Sequence, residues 1–204
     1  MEVGDININW HGQLEEVLSD EGERCMCYAW LHNNSQKLFS RLNTIITLPV
    51  IVMATIAGSA SIGSQSLFSD PQVASVAIGV VSLSVGVLNT ISSFFGWAKR
   101  AEAHRIASLQ HEKVYRFILI ELALPRQERM APKDMLKVVR EQCDRLKEMS
   151  PEIPDRIITR FKERFGSTTP DVKKPEITNG LDPILIFSAD AQTPVRITGS
   201  PPPS

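Results

Sequence analysis

Charge is missing from two long stretches of this sequence. Leu42–Ser69 and Pro71–Ala98 each span 28 residues without a single Asp, Glu, Lys or Arg. Charged residues make up 22% of the whole chain, so their absence here argues against an ordinary soluble globule and against an intrinsically disordered chain. The net charge of −1 argues against a strongly basic nucleic-acid binder, and we expect no nucleic-acid partner.

Both uncharged stretches are long enough to cross a lipid bilayer as helices. A helix needs about 20 apolar residues to span the hydrocarbon core. We predict spans at about 42–62 and 73–97, joined by a short, turn-rich connector over 63–72. The predicted fold class is therefore all-α, with a two-transmembrane helical hairpin. The alternative is a soluble hairpin buried in protein, but a chain of this size offers little protein to cover it.

Basic residues flank the two spans and are missing from the connector. Arg41 precedes the first span, and Lys99 and Arg100 follow the second. The positive-inside rule then predicts that both termini lie on the cytoplasmic side or its topological equivalent. We expect Arg41, Trp97, Lys99 and Arg100 to anchor the hairpin at the membrane interface. The first 20 residues are acidic and have no apolar run, so no signal peptide is expected.

Each predicted span carries a row of small and polar residues at helical spacing. The first-span stripe consists of Thr44, Thr47, Ala54, Gly58 and Ser61, with Ile51 as its bulky member; the second-span stripe consists of Ser75, Gly79, Ser82, Gly86, Asn89, Ser93 and Gly96. Such rows allow membrane helices to pack closely. One interpretation is that the spans pack against each other or against a second copy, which makes a homo-oligomer the expected partner. The other is that the stripes line a water-filled path in an oligomer.

The regions outside the spans divide into an acidic segment, a basic segment and a tail. Residues 1–41 carry seven acidic and three basic side chains, whereas residues 99–165 carry 16 basic and 11 acidic ones. We expect the first helix to begin near Ser19 or Asp20 and to run into the first span. The segment 99–165 should form cytoplasmic helices that bundle with this first helix.

Prolines place the boundaries of these cytoplasmic helices. The helix of the second span should continue outward until Pro125, because no Pro or Gly follows Trp97 before that point. A second helix fits Pro132–Met149, and a short one should follow Pro154.

A proline-rich tail is predicted over 166–204. Seven of the 13 prolines lie in Ser167–Ser204, a composition typical of extended or flexible chain. The apolar residues Ile184, Leu185, Ile186 and Phe187 interrupt it. They are either a segment that docks on a protein partner or a chance cluster.

Residues that would carry catalysis or bind a metal are not recognisable in this sequence. Cys25-x-Cys27 has no second pair and is a poor zinc site, and the cysteines are expected to stay free in a reducing compartment. His104 and His111 share a helical face, where packing is the expected role, and Glu15-Glu16 fits a solvated face. We therefore predict a protein that is not an enzyme and has no cofactor.

The layout resembles the SLATT class of two-transmembrane proteins. The resemblance covers roughly Cys25–Phe165 and rests on three features: the hairpin, the helix leaving the second span through Lys99, Ala103-His104 and Ala107, and the Pro151-x-Ile153-Pro154 break. It implies a pore-forming or membrane-perturbing effector that oligomerises. Stand-alone proteins of this type in large DNA viruses imply the alternative, a structural protein that links a capsid to its membrane.

Overall fold

The computed structural model describes residues 9–63 and 70–184, and all regular secondary structure in these two ranges is helical. The all-α prediction is confirmed for this part of the chain. Its helices are α1 (Gly12–Ile62), α2 (Pro71–Phe95), α3 (Trp97–Ala123), α4 (Pro132–Met149), α5 (Asp155–Phe165) and α6 (Glu176–Asn179).

The chain divides into two compact units. The first, here called the polar unit, comprises Met1–His32 and Ile106–Ser204, and the second, the apolar unit, comprises Asn33–Arg105. The predicted boundaries of the hairpin, 42–98, fall within the apolar unit.

A small hydrophobic core holds the polar unit together. Its buried side chains come from α1, α3 and α4: Leu14, Leu18, Cys25, Val114, Ile118, Met135, Val139 and Leu146. Helix α5 is held by aromatic contacts, because the ring of Trp30 on α1 lies edge-on to those of Phe161 and Phe165 at 5.4 and 5.3 Å. These contacts form the predicted bundle of the N-terminal helix with the helices of 99–165.

Helix α1 begins at Gly12, two turns before the predicted start at Ser19 or Asp20. The reason is that Leu14 and Leu18 are buried in the core, so the extra turns are stabilised by packing. The backbone N–H of Leu14 also donates to Nδ1 of His11 at 3.2 Å, which caps one of the free amides at the helix start.

A glycine separates α2 from α3, where an unbroken helix was predicted. Gly96 has a φ of 59°, in the left-handed region, and its N–H donates to the carbonyl of Ser92 at 3.1 Å. A glycine in this conformation is a common helix terminator. Helix α3 starts at the next residue, Trp97, and ends at Ala123, two residues before Pro125. The predicted limits of α4 and the short helix after Pro154 are confirmed.

The first part of the predicted tail is folded onto the polar unit rather than extended. Asp182 accepts from Arg24 Nη2 at 3.0 Å and lies 3.3 Å from Lys173 Nζ, and the Lys173 N–H donates to Glu23 at 2.6 Å. These contacts with α1 override the proline-rich composition here. The acidic N-terminal segment pairs with the basic segment 99–165 at another point, where Glu15 binds Arg126 and Arg129.

Candidate functional site

The two predicted stripes lie on exposed helix surfaces of the apolar unit. In the second-span stripe every member is exposed except Gly96, which is half-buried; in the first-span stripe Thr47 is half-buried and the others, Thr44, Ile51, Ala54, Gly58 and Ser61, are exposed. The buried positions of the two apolar helical segments are Val50, Ala57 and Ala74. These positions belong to neither stripe, so a different set of side chains is covered within the unit.

Glycine positions in the stripes face open space. A Cβ atom added at Gly58, Gly79 or Gly86 would meet nothing within 4 Å. Stripe hydroxyls bond within their own helices: Thr44 Oγ1 donates to the Ser40 carbonyl and Ser75 Oγ to the Pro71 carbonyl, both at 3.0 Å. No described residue packs closely on these glycines, and the two hydroxyls have their hydrogen bonds without water.

The predicted interface anchors combine charged and aromatic groups. Arg41, Lys99 and Arg100 are exposed, and Trp97 is half-buried. The Trp97 ring stacks on that of Phe95 at 5.0 Å, while the Arg100 guanidinium lies 5.8 Å from the ring centre of Phe39. The arginine contact is a cation–π interaction, and tryptophan is a residue type enriched at membrane–water interfaces in general.

His104 has the packing role that was expected of it. It is buried in the apolar unit, where its ring stacks on Phe39 at 5.4 Å. Burial, with the charge of Arg100 adding to it, lowers the pKa of His104 to about 4. The imidazole is therefore neutral at physiological pH.

Only the beginning of the predicted docking segment lies within the described residues. Ile184 is 90% exposed, whereas Leu185, Ile186 and Phe187 fall outside the described part of the chain.

The polar unit contains a thiol cluster beside an open cavity. The cluster consists of Glu21 and Cys25 on α1, Cys143 on α4 and His111 on α3. The cavity has a volume of about 480 Å³, and all four residues lie on its wall. The two sulfur atoms are 3.9 Å apart, and one donor atom each from Glu21, Cys25 and Cys143 lie within 4.8 Å of one another.

The three cysteines have different electrostatic environments. The hydrogen bond with Cys143 lowers the pKa of Cys25 to about 6; burial opposes this, and His111 lowers it further. The same bond and burial raise the pKa of Cys143. Burial raises the pKa of Cys27 to about 11, and its thiol lies 3.9 Å from the carbonyl of Lys173. Cys25 thus carries the thiol that ionises most readily.

His111 is fixed in a stack of rings. It lies 5.1 Å from Tyr28 and 5.5 Å from His32, and its Nε2 is 3.4 Å from Ser150 Oγ. Its other ring nitrogen, Nδ1, is buried and has no hydrogen-bond partner among the described residues.

Sequence reasoning missed this cluster and the ion pairs of Glu15. Nothing in the sequence matched Cys143 with Cys25, which lies 118 residues earlier. Glu15 lies on a partly exposed face, as expected, but it also binds Arg126 and Arg129. For the ion pairs of Glu15, the one signal in the sequence was the excess of basic residues over 99–165. For the thiol cluster there was none.

No protein-family model, curated protein or solved structure matches this chain. The functional inference therefore depends on the geometry of the two units.

Proposed function

We propose that this chain is a non-enzymatic integral membrane protein whose two apolar segments form a transmembrane hairpin and associate with further copies of the chain. One observation carries the proposal. Two described helical segments, Gly12–Ile62 and Pro71–Ala123, are long and apolar enough to cross a membrane, and only 11% and 6% of their most apolar windows are buried. The apolar surface needs lipid or other chains to cover it.

A soluble hairpin explains this exposure poorly. A core helix of a soluble protein is mostly buried, whereas Ile45, Val76, Leu83 and Phe94 are all more than half exposed. Burying one such side chain is worth about 1.5–3 kcal/mol, and soluble monomers rarely expose apolar patches beyond a few hundred Å². Lipid supplies the missing environment.

The compact unit and the charges that flank it support the proposed hairpin topology. The predicted spans, 42–62 and 73–97, both lie in the one compact unit Asn33–Arg105. Arg41, Lys99 and Arg100 flank the spans, whereas the connector carries no basic residue. This distribution supports both termini on the cytoplasmic side.

The exposed stripes support self-association. In lipid, helices associate through close contact of small residues and through polar bonds. The open space at Gly79 and Gly86 leaves room for a helix of another copy. Asn89 is the strongest polar group of the stripe, and its amide forms no hydrogen bond with another residue of 9–63 or 70–184. An amide at membrane depth is stabilised by a partner across a subunit interface.

The form of the assembly that we propose is a pore-forming or membrane-perturbing oligomer of the SLATT type. An alternative is a structural anchor that links a larger assembly, such as a viral capsid, to its membrane. The exposed Leu181 and Ile184, which lead into the apolar segment 184–187, favour this second function because they offer a docking surface for a protein partner.

Association can be tested with Gly86→Leu and Asn89→Leu in lipid vesicles. Ser84→Leu is the matched control, because Ser84 is an exposed residue of the same helix off the stripe. We expect both stripe variants to lower association about tenfold, measured by energy transfer between labelled chains, and Ser84→Leu to leave it unchanged. Equal effects at all three positions would contradict self-association through the stripe.

Dye release from the same vesicles separates the two functions. A pore predicts leakage that Asn89→Leu changes. Tight vesicles containing inserted, associated protein would instead favour the anchor, and deleting Ser167–Ser204 should then abolish its incorporation into the larger assembly.

A further inference from the structure

The thiol cluster of the polar unit has the donor spacing of a metal site. Two thiolates on a tetrahedral zinc ion, each about 2.3 Å from the metal, lie about 3.8 Å from each other. The Sγ atoms of Cys25 and Cys143 are 3.9 Å apart. A disulfide would need these atoms at about 2.05 Å. A carboxylate oxygen of Glu21 lies within 4.8 Å of both sulfurs and supplies a third donor.

A second, independent observation comes from His111. This side chain is only 6% exposed, yet its Nδ1 lacks a hydrogen-bond partner among the described residues. Leaving a buried polar nitrogen unsatisfied costs about 1–3 kcal/mol. When Nε2–H donates to Ser150 Oγ, 3.4 Å away, Nδ1 carries the lone pair. Metal-binding histidines commonly have their second ring nitrogen oriented in this way.

Charge and access also suit a cation. Two thiolates and a carboxylate would carry three negative charges, which a divalent ion balances only in part. Arg24 lies 3.3 Å from Glu21 Oε2, and Lys147 lines the same cavity, so both add positive charge at the rim. The cavity of about 480 Å³ gives an ion a path to the cluster.

We propose that Cys25, Cys143 and Glu21 bind a thiolate-preferring divalent cation, with Zn²⁺ as the expected ion, and that His111 shifts toward the bound ion so that Nδ1 becomes the fourth ligand. The site would connect α1, α3 and α4, so metal binding would stabilise the polar unit. It is independent of the proposed membrane function, since none of its ligands lies in the apolar unit.

The test uses the full chain, purified in detergent, fully reduced and then freed of metal. Zn²⁺ is titrated against a chromophoric chelator, and Co²⁺ is added separately to detect the thiolate-to-metal charge-transfer absorption. The variants are Cys143→Ser and Glu21→Gln, with Cys27→Ser as the matched control. Cys27 is also a buried thiol of α1, but it contacts the Lys173 carbonyl instead of the cluster.

We expect one equivalent of Zn²⁺ and a charge-transfer band for the wild type and Cys27→Ser. Cys143→Ser should weaken the band, because one of the two thiolates is removed, and both ligand variants should bind Zn²⁺ at least about tenfold more weakly. The proposal is overturned if the reduced wild type binds neither metal, or if Cys143→Ser binds both metals as the wild type does. If a variant fails to fold, the cobalt spectrum of the wild type still shows whether thiolates bind the metal. If the reduced protein binds no metal and forms a Cys25–Cys143 disulfide on oxidation, the metal site is overturned and the two cysteines are a redox pair.

Discussion

Replacing Glu15 with glutamine should destabilise the polar unit by removing the centre of a charge cluster. Arg126 donates Nε and Nη2 to the two carboxylate oxygens of Glu15, each at 2.8 Å, and Arg129 Nη1 donates to one of them at 2.5 Å. The Arg129 side chain is nearly buried and also donates to the carbonyls of Leu122 and Leu124. Glu15 thus connects the start of α1 to the loop after α3.

The size of the expected stability loss in Glu15→Gln follows from the pKa of Glu15. The hydrogen bond with Arg126 is the largest cause, opposed by burial and aided by Arg129, and together they lower the pKa from 4.5 to about 2. At 1.36 kcal/mol per pH unit this difference corresponds to about 3 kcal/mol. The side chain of Glu15 is 25% exposed, so solvent screening reduces the expected loss to roughly 1–2 kcal/mol.

The sign of the pH dependence is fixed by the lowered pKa. The stabilisation is complete above pH 4.5, where Glu15 is ionised in the folded and unfolded states, and it disappears as the pH falls toward 2. The wild type should therefore exceed Glu15→Gln by about 4–8 °C in Tm at neutral pH, and by less than half of that near pH 3.

The assay is thermal unfolding of the full chain in detergent, followed by circular dichroism at several pH values. Glu16→Gln is the control, since Glu16 is the exposed neighbour of Glu15 with the same charge. Equal losses for both variants, or a difference between wild type and Glu15→Gln that does not shrink in acid, would refute the reasoning.

Two further substitutions test the packing and the backbone in the same unfolding assay. Met135 is 0% exposed, so Met135→Ala should lower the free energy of unfolding by about 2–5 kcal/mol because it leaves a cavity. Val138→Ala, at a partly exposed position of the same helix, should lower it much less. Gly96→Ala should lower the free energy of unfolding by about 1–2 kcal/mol, because an alanine is strained at a φ of 59°. Gly12→Ala is the control and should be tolerated. Equal stability of the two glycine variants would contradict the role of Gly96.

Features governed by local rules were predictable from the sequence. Pro132 is the first residue of α4, and Pro154 directly precedes α5. Proline lacks an N–H and suits the start of a helix, so these boundaries were found correctly. The two apolar segments were found because the absence of charge over 28 residues is a strong signal.

Features governed by tertiary contacts were not predictable in the same way. The first turns of α1 are stabilised by the burial of Leu14 and Leu18. The start of the tail is held by the Arg24–Asp182 ion pair and by the hydrogen bond from the Lys173 N–H to Glu23. Neither contact has a local sequence pattern, since each joins segments more than 90 residues apart. The stripes show the same limit: their spacing was visible, but the helix face that is buried within the unit contains Val50, Ala57 and Ala74 instead.

The thiol cluster shows why a search for motifs overlooks some sites. Zinc motifs are recognised when two ligands lie close in sequence, because a turn or one helical face then holds them together. Here Glu21 and Cys25 are four residues apart on α1 and share a face, but glutamate and cysteine at this spacing are common without a metal. The spacing becomes informative only when α4 brings Cys143 beside Cys25 and α3 places His111 on the wall of the same cavity. Such a site depends on how the helices pack, so a sequence search for it should start from pairs of helices expected to pack and ask which polar residues occupy their buried faces.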